Sequence, residues 1–424
     1  MKGLKIVIKL GTSSIIDEVT HKPLLSILSL IVETAVKLRN EGHKVVIVSS
    51  GAIGVGLRKM NYDKRPKHLP RIQALAAIGQ CHLLGIWDQL FSHFGQPIAQ
   101  ILLTREAIAH RSQYLNAQKT FHELLEMGVI PIVNENDTIA VSEIKFGDND
   151  TLSAITAAMI HAQYLFLMTD VDCLYDKNPR TCADACAIEV VEDISSLNAD
   201  VSSAGSNLGV GGMSTKIVAA RLATSAGVTT IITRSSTPGN IPQIVRYLQT
   251  LKSNPSSPRS APTLKLNSRE DEIDTSSQSS EIESECSPPL HTRFIPAQNP
   301  IRDRKFWLLY GLTPRGTLYV DSGAYEAIKN KAGLFAVGVL DVEGNFAQME
   351  SVRIVVVSRS DPSTCEDNQK SWQGPGTEVG RAVVNFSASE ISRIKGVKSS
   401  EIRDLLGYAD SEYVALRENI STFG

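Results

Sequence analysis

Nowhere in the 424 residues do about 18 apolar positions run uninterrupted, which excludes an ordinary membrane-spanning helix. Cysteine is scarce, six in all, and its only close pair is a lone C-x3-C at Cys182 and Cys186. With no second pair nearby and no metal-site spacing among the nine histidines, neither a disulfide framework nor a zinc site is expected. The thiols read as reduced and the site as holding no protein-bound metal, which suits a cytoplasmic protein. Net charge is nearly absent too: 43 Lys and Arg against 45 Asp and Glu leave −2. Bulk attraction to nucleic acid or to an anionic membrane is thereby excluded. The first ten residues enter a strand pattern at once, without the composition of a signal or transit peptide. Two familiar phosphate loops are missing as well. No G-x-x-x-x-G-K-[ST] occurs, and no G-x-G-x-x-G follows the first strand.

What remains is an ordinary globular composition, 42% hydrophobic and 21% charged, long enough for two domains. Up to residue 251, apolar runs alternate with helical patterns. KIVIKL (5–10), KVVIVSS (44–50), VIPIVN (129–134), YLFLMTD (164–170) and VTTIIT (228–233) are apolar runs with no polar face, all but YLFLMTD rich in β-branched residues. Strands buried on both sides have that character, so the pattern predicts an α/β domain with a mostly parallel sheet between helical layers. The helical segments between them stop at Gly42 and Gly227, which suit C-caps.

Residues 253–289 hold 11 Ser and 5 Pro, an acidic REDEID run and no aromatic residue. Such a stretch cannot bury enough apolar surface to offset its ordering entropy, so 252–300 is expected to be a disordered linker. From 301 to 424 a smaller β-rich domain follows, with strands expected at FWLLYG, GTLYVD, FAVGVLDV, SVRIVVVS and RAVVNFS. One helix sits among them, SGAYEAIKNKAG, with Ser322 as its expected N-cap and Gly333 as its stop.

The chemistry gathers where strands end. GVGGMSTK, residues 209–216, puts three glycines, two hydroxyls and Lys216 before a helix. Other strand ends offer Lys9, Gly11, Thr12 and Ser13; Ser50, Gly51, Gly54 and Gly56; Asn134, Glu135, Asn136 and Asp137; and Thr169, Asp170 and Asp172. Ligands of open α/β sheets sit beyond the carboxyl ends of strands, and glycine-rich turns at helix N-termini suit anionic oxygens. Asp148, Asn149 and Asp150 precede a further helix, and two carboxylates around an amide exceed what capping requires.

In order and spacing, KLGTSSI, VSSGAIGVGL, PIVNENDT, FGDNDTLSA, TDVDCLYDKNPR and GVGGMSTK resemble the amino-acid kinase family. The β-rich part resembles a PUA domain. Within the family the motifs are similar to those of members that phosphorylate the side-chain carboxylate of L-glutamate, the first step of proline biosynthesis. The resemblance implies that Lys9 and Lys216 neutralise the transferring phosphoryl group and that Asp150 holds both lysines. It gives Ser50, Asp137 and Asn149 to glutamate. ATP falls to Lys9, Gly11, Thr169, Asp170 and the run Gly209, Val210, Gly211, Gly212, Met213, Ser214, Thr215 and Lys216. Mg²⁺ would travel on ATP oxygens and water. A carboxylate acceptor with a pKa near 4.3 is already ionised, so no general base is needed. The resemblance also implies proline as a feedback inhibitor, a separate reductase for the labile product and a homo-oligomer.

Other amino-acid kinases, acting on acetylglutamate or aspartate, are the alternative within the family. An RNA-binding PUA protein is the alternative outside it, with Arg302, Arg304, Lys305 and Trp307 as a basic-aromatic patch. Residues 301–424 hold 15 Lys and Arg against 16 Asp and Glu, so no electrostatic footprint for nucleic acid exists.

Overall fold

The computed structural model describes residues 3–423 except 18, 141–148, 180, 183, 195–196, 198–211, 254–287, 299, 302, 360–371 and 408–410. The chain opens with β1 (Lys5–Leu10), α1 (Thr12–Ile15), α2 (Leu25–Asn40) and β2 (Lys44–Ser49). It continues through α3 (Ala52–Lys59), α4 (Leu69–Ser92), β3 (Ile98–Leu103), α5 (Arg105–Ala109), α6 (Arg111–Glu126) and β4 (Ile130–Glu135). Next come α7 (Asn149–Met159), β5 (Tyr164–Thr169), a small hairpin of β6 (Leu174–Tyr175) and β7 (Ala187–Ile188), and β8 (Val190–Val191). Then follow α8 (Met213–Ser225), β9 (Thr229–Arg234), α9 (Asn240–Ser253) and β10 (Thr292–Phe294).

These strands build one sheet in the order β3-β4-β2-β1-β5-β9-β10-β8, parallel from β3 through β9. The absence of a polar face is explained directly. On β1, Ile6, Ile8 and Leu10 pack with α2, α4 and α9, while Val7 packs into a second cluster with α7 and α8. Strand periodicity of two puts Lys9 on the Val7 side, facing α7 and α8. Gly42 and Gly227 close α2 and α8 with φ of +88° and +83°, as their spacing predicts.

Gly54 and Gly56, read from the sequence as part of a ligand loop, lie instead within α3. A Cβ on Gly56 would sit 2.0 Å from the Leu75 carbonyl oxygen, and one on Gly79 1.7 Å from that of Ala52. These glycines let the backbones of α3 and α4 touch. Gly79→Ala should therefore destabilise the protein by about 1–3 kcal/mol through overpacking. Chemical unfolding checks this; stability equal to wild type would refute the close contact.

The expected linker is corrected at its C-terminal end. Thr292–Phe294 forms β10, antiparallel to β9 and parallel to β8, and the Ala297 and Ile301 N–H groups donate to Thr224 and Ser225 carbonyls at the end of α8. Three residues suffice because the partner strand supplies the edge that composition cannot reveal. The disorder expected over 254–287 lies outside the described residues.

FWLLYG is helical, not a strand. It forms the end of α10 (Asp303–Phe306) and a π-helical turn, Trp307–Gly311. A short apolar run does not distinguish a buried strand from a buried helical turn. Here Phe306, Trp307 and Leu308 enter the first domain's core cluster, and the Trp307 indole N–H donates to the Ile108 carbonyl at 2.9 Å. That burial takes Trp307 off the open surface of the second domain; Arg302 lies outside the described residues.

The second domain comprises β11 (Gly316–Val320), α11 (Ser322–Lys329), β12 (Leu334–Phe335), β13 (Val339–Gly344), β14 (Ser351–Arg359) and β15 (Trp372–Val383). It ends with α12 (Ala388–Ile394), α13 (Ile402–Leu406), β16 (Tyr413–Ala415) and β17 (Ile420–Thr422). Its main sheet runs β13-β11-β14-β15-β17 over a separate core. The cap of α11 is Asp321, not Ser322: its carboxylate accepts from the Ala324 N–H at 2.7 Å.

Candidate active site

β1 lies at the centre of the first sheet, with β2 and β4 on one side and β5 and β9 on the other. The chemistry-bearing residues follow that order at the carboxyl ends. Ser50 follows β2, Asn134 and Lys9 each stand one residue before the ends of β4 and β1, and Thr169 ends β5. Parallel strands force this gathering because every one ends on the same edge.

Above β1, two helices bring their first turns together. Asp150 opens α7 and is 0% exposed; Lys216 lies in the first turn of α8 and is 7% exposed, and Lys9 is 3% exposed. Lys9 Nζ pairs with Asp150 Oδ1, while Lys216 Nζ lies 3.4 Å from Oδ2. The Thr215 hydroxyl donates to the same Oδ2 at 2.7 Å. Burial pushes the Asp150 carboxyl up, but the Lys9 and Lys216 charges and the hydrogen bonds from Lys9 and Thr215 override it, leaving it at about 2. One carboxylate thus holds two ammonium groups that would otherwise repel each other. Gly11 lies against the same head group, since a Cβ there would be 3.8 Å from Lys9 Nζ.

A second network lies toward β2 and β4. Asn149 Nδ2 donates to Ser50 Oγ at 2.9 Å and to Asn134 Oδ1 at 2.8 Å, and Asn134 Nδ2 donates to Gln80 Oε1 on α4 at 2.7 Å. Nearby, the buried Trp87 indole N–H donates to Ser49 Oγ at 3.3 Å. Asp137 occupies the turn after β4, whose Asn136 N–H donates to the Leu103 carbonyl at the end of β3.

On the opposite side, the Thr169 hydroxyl donates to Asp170 at 3.0 Å and Asp170 is exposed. Asp172 makes a bidentate pair with Arg234 at the end of β9, both bonds 2.6 Å. Cys173 is buried between these residues and β6, and burial pushes its thiol up, so it stays protonated and unreactive. Gly212 caps α8, Ser214 is exposed, and Met213 is partly buried against the core cluster. Gly209, Val210, Gly211 and Asp148 lie outside the described residues.

The structure therefore joins Lys9, Gly11, Asp150, Thr215 and Lys216 in one cluster, and Ser50 with Asn149 in an adjoining one. Thr169, Asp170 and Asp137 stand at neighbouring strand ends. Among the described residues no group of three or more His, Cys, Asp or Glu could hold a metal. Asp150, with both oxygens engaged by cations or a hydroxyl, is unsuited to a divalent ion.

The family model for the amino acid kinase family matches residues 5–234, and that for the PUA domain matches 316–406. The chain belongs to the amino acid kinase family. A probable glutamate 5-kinase of Schizosaccharomyces pombe is 50% identical, over 100% of this chain and 94% of that one. A protein of Saccharomyces cerevisiae described as uncharacterized is 45% identical, over 99% and 98%. The glutamate 5-kinase of Rippkaea orientalis is 42% identical, over 99% of each. As an amino acid kinase carrying a PUA domain, the chain is a phosphotransferase with the sheet and helical layers that its strand–helix alternation predicts.

Two residues bonded to these strand-end groups escape the sequence motifs. Gln80 sits in the middle of a 24-residue helix, where its amide looks like any surface position; only its bond to Asn134 reveals it. Arg234 ends a strand with no motif around it, and its partner Asp172 lies 62 residues earlier.

Proposed function

We propose that this chain transfers the γ-phosphoryl group of ATP to the side-chain carboxylate of L-glutamate, giving L-glutamyl 5-phosphate for proline biosynthesis. The observation that carries the reading is the Lys9–Asp150–Lys216 cluster at the head of β1, between the two flanking groups of strand ends. Relatives named glutamate 5-kinase over nearly their full length support the choice of acceptor.

The side of β2 and β4 takes glutamate. Asn149 Nδ2 is engaged by Ser50 and Asn134, so the amide turns its oxygen to the ligand's ammonium group, and the Ser50 hydroxyl turns its proton to the α-carboxylate. Asp137 adds a second partner for the ammonium. The side of β5 and α8 takes ATP, with Thr169, Asp170, Gly11 and the turn 209–216 around its phosphates and nucleoside. Mg²⁺ enters as part of the nucleotide substrate, bound by phosphate oxygens and water.

The acceptor is already an anion, so transfer requires position and charge neutralisation more than proton abstraction. Lys9 and Lys216 approach the transferring group from two elements, and Asp150 fixes their separation. Charge building on the equatorial oxygens then meets cations already in place, without solvent reorganisation.

Hydroxylamine traps acyl phosphates as hydroxamates. With ATP and each amino acid in turn, glutamate should give product at rates at least a hundredfold above N-acetylglutamate and aspartate. Equal or greater turnover of either alternative would overturn the assignment. Proline shares glutamate's α-carboxylate and α-nitrogen but offers nothing to phosphorylate, so it would compete at Ser50, Asp137 and Asn149. Initial rates over a grid of proline and glutamate should show inhibition relieved by glutamate; an inhibition constant indifferent to glutamate would reject the shared pocket. The labile acyl phosphate calls for a separate reductase, and we place the enzyme in the cytoplasm as a homo-oligomer. No helix among the described residues is long and apolar enough to cross a membrane.

A further inference from the structure

At the junction of the two domains lies a cavity of about 530 Å³, whose lining includes none of the residues of the kinase cluster. The first domain contributes the corner between α5 and α6, where Arg111 begins a 16-residue helix. The rest of the wall comes from beyond residue 300: Arg304, Arg315, Glu350, Ser351 and Asn419. Three arginines and one glutamate line it; Arg304 Nη2 donates to Asn419 Oδ1, and the Glu350 carboxylate accepts the Ala347 N–H at 2.9 Å. The balance in the wall is positive although the chain as a whole is slightly negative.

Two polar groups in this wall are buried without a hydrogen-bond partner: Arg111 Nη1 and Ser351 Oγ. Ser351 as a whole is only 5% exposed. A buried polar atom left unsatisfied costs about 1–3 kcal/mol, so native proteins rarely keep two together without a reason. The Arg111 guanidinium is held in orientation by the rings of Trp307 and Tyr114, with its carbon 5.5 and 5.8 Å from their centroids. Helix α6 adds to the same field. Its N-cap, His110, makes no side-chain capping bond and its first turn has no acidic residue, so the positive end of the helix also faces the cavity.

We propose that this cavity is a binding site for a small organic or inorganic polyanion bearing carboxylate or phosphate oxygens. Arginine forks from three separate segments match an anion with more than one charged group. The volume lies in the range of small-molecule sites. Because the wall is drawn from both domains, the anion would bridge them. Neither Arg304 nor Arg315 takes part in the kinase cluster, so the site is separable from phosphoryl transfer.

The test uses the full chain with its kinase site filled by glutamate and a non-hydrolysable ATP analogue. Citrate and inorganic pyrophosphate are titrated separately by calorimetry. At least one should bind saturably at a single site, unaffected by Lys216→Ala and weakened at least tenfold by Arg304→Gln with Arg315→Gln. Both positions are exposed, so this double variant should fold; circular dichroism confirms that, and Arg111→Gln supplies a third reading. Failure of both probes to saturate would overturn the proposal. So would binding that Lys216→Ala abolishes and the arginine changes leave intact, because the anion would then be using the kinase site. A single-stranded RNA that binds through these arginines when neither small anion does would overturn it too, in favour of a macromolecular ligand.

Discussion

Lys216→Ala should lower kcat by about 10²–10³ while the protein stays folded, the size of loss seen when one preorganised charge-stabilising donor is removed. The two halves of this expectation have separate causes. The ammonium of Lys216 acts on charge that develops as the phosphoryl group moves, so its loss falls on kcat more than on the KM for glutamate. The fold survives because Asp150 still has Lys9 and the Thr215 hydroxyl, which donates at 2.7 Å. Steady-state rates for the variant, with circular dichroism as the control, decide the matter. Retention of more than a tenth of wild-type kcat would remove Lys216 from the catalytic group.

Asp150→Ala should do more damage, to stability as well as rate. It leaves Lys9 and Lys216 buried, at 3% and 7% exposure, with like charges adjacent and no counter-ion. Breaking a buried ion pair from one side costs about 3–5 kcal/mol, enough to endanger a domain of ordinary stability. Asp150→Asn keeps the shape and tests the charge alone, should the alanine variant fail to fold. Acid gives an independent reading. Asp150 titrates at about 2 in the folded protein against an ordinary 3.8. A depressed folded-state value means stability that is present above about pH 4 and lost as pH falls toward 2. Wild-type unfolding free energy should therefore drop across that window, and in Asp150→Asn this part of the drop should be missing. Equal stability of wild type and Asp150→Asn at pH 7 would contradict the paired arrangement.

Much of this molecule is written locally. The apolar runs at 5–10, 44–50 and 164–170 have no polar face because helices cover both sides of their sheet, and hydrophobic pattern alone carries that information. Gly42 and Gly227 end helices at positive φ, a requirement that only the residue type itself meets easily. Lys9 and Ser50 stand out because polar residues at the ends of apolar strands have no structural reason to recur, and Asn149, Asp150 and Lys216 because they crowd the first turns of two helices. Other features belong to the fold alone. Gly56 looks like a loop glycine until α4 lies against α3, since a glycine needed for close helix contact and one needed for a turn are the same letter. FWLLYG reads as a strand because six apolar residues fit either period; the first domain's core, with Ile108 waiting for the Trp307 indole, decides for a helix. Thr292–Phe294 is too short to announce itself, and the open edge of β9 makes it a strand. Gln80 meets Asn134, and Arg111 meets the Trp307 ring, only through tertiary packing. Sequence determines which residues can be buried or charged at low cost, whereas the meeting of distant groups is settled only when the sheet and its two helical layers close around them.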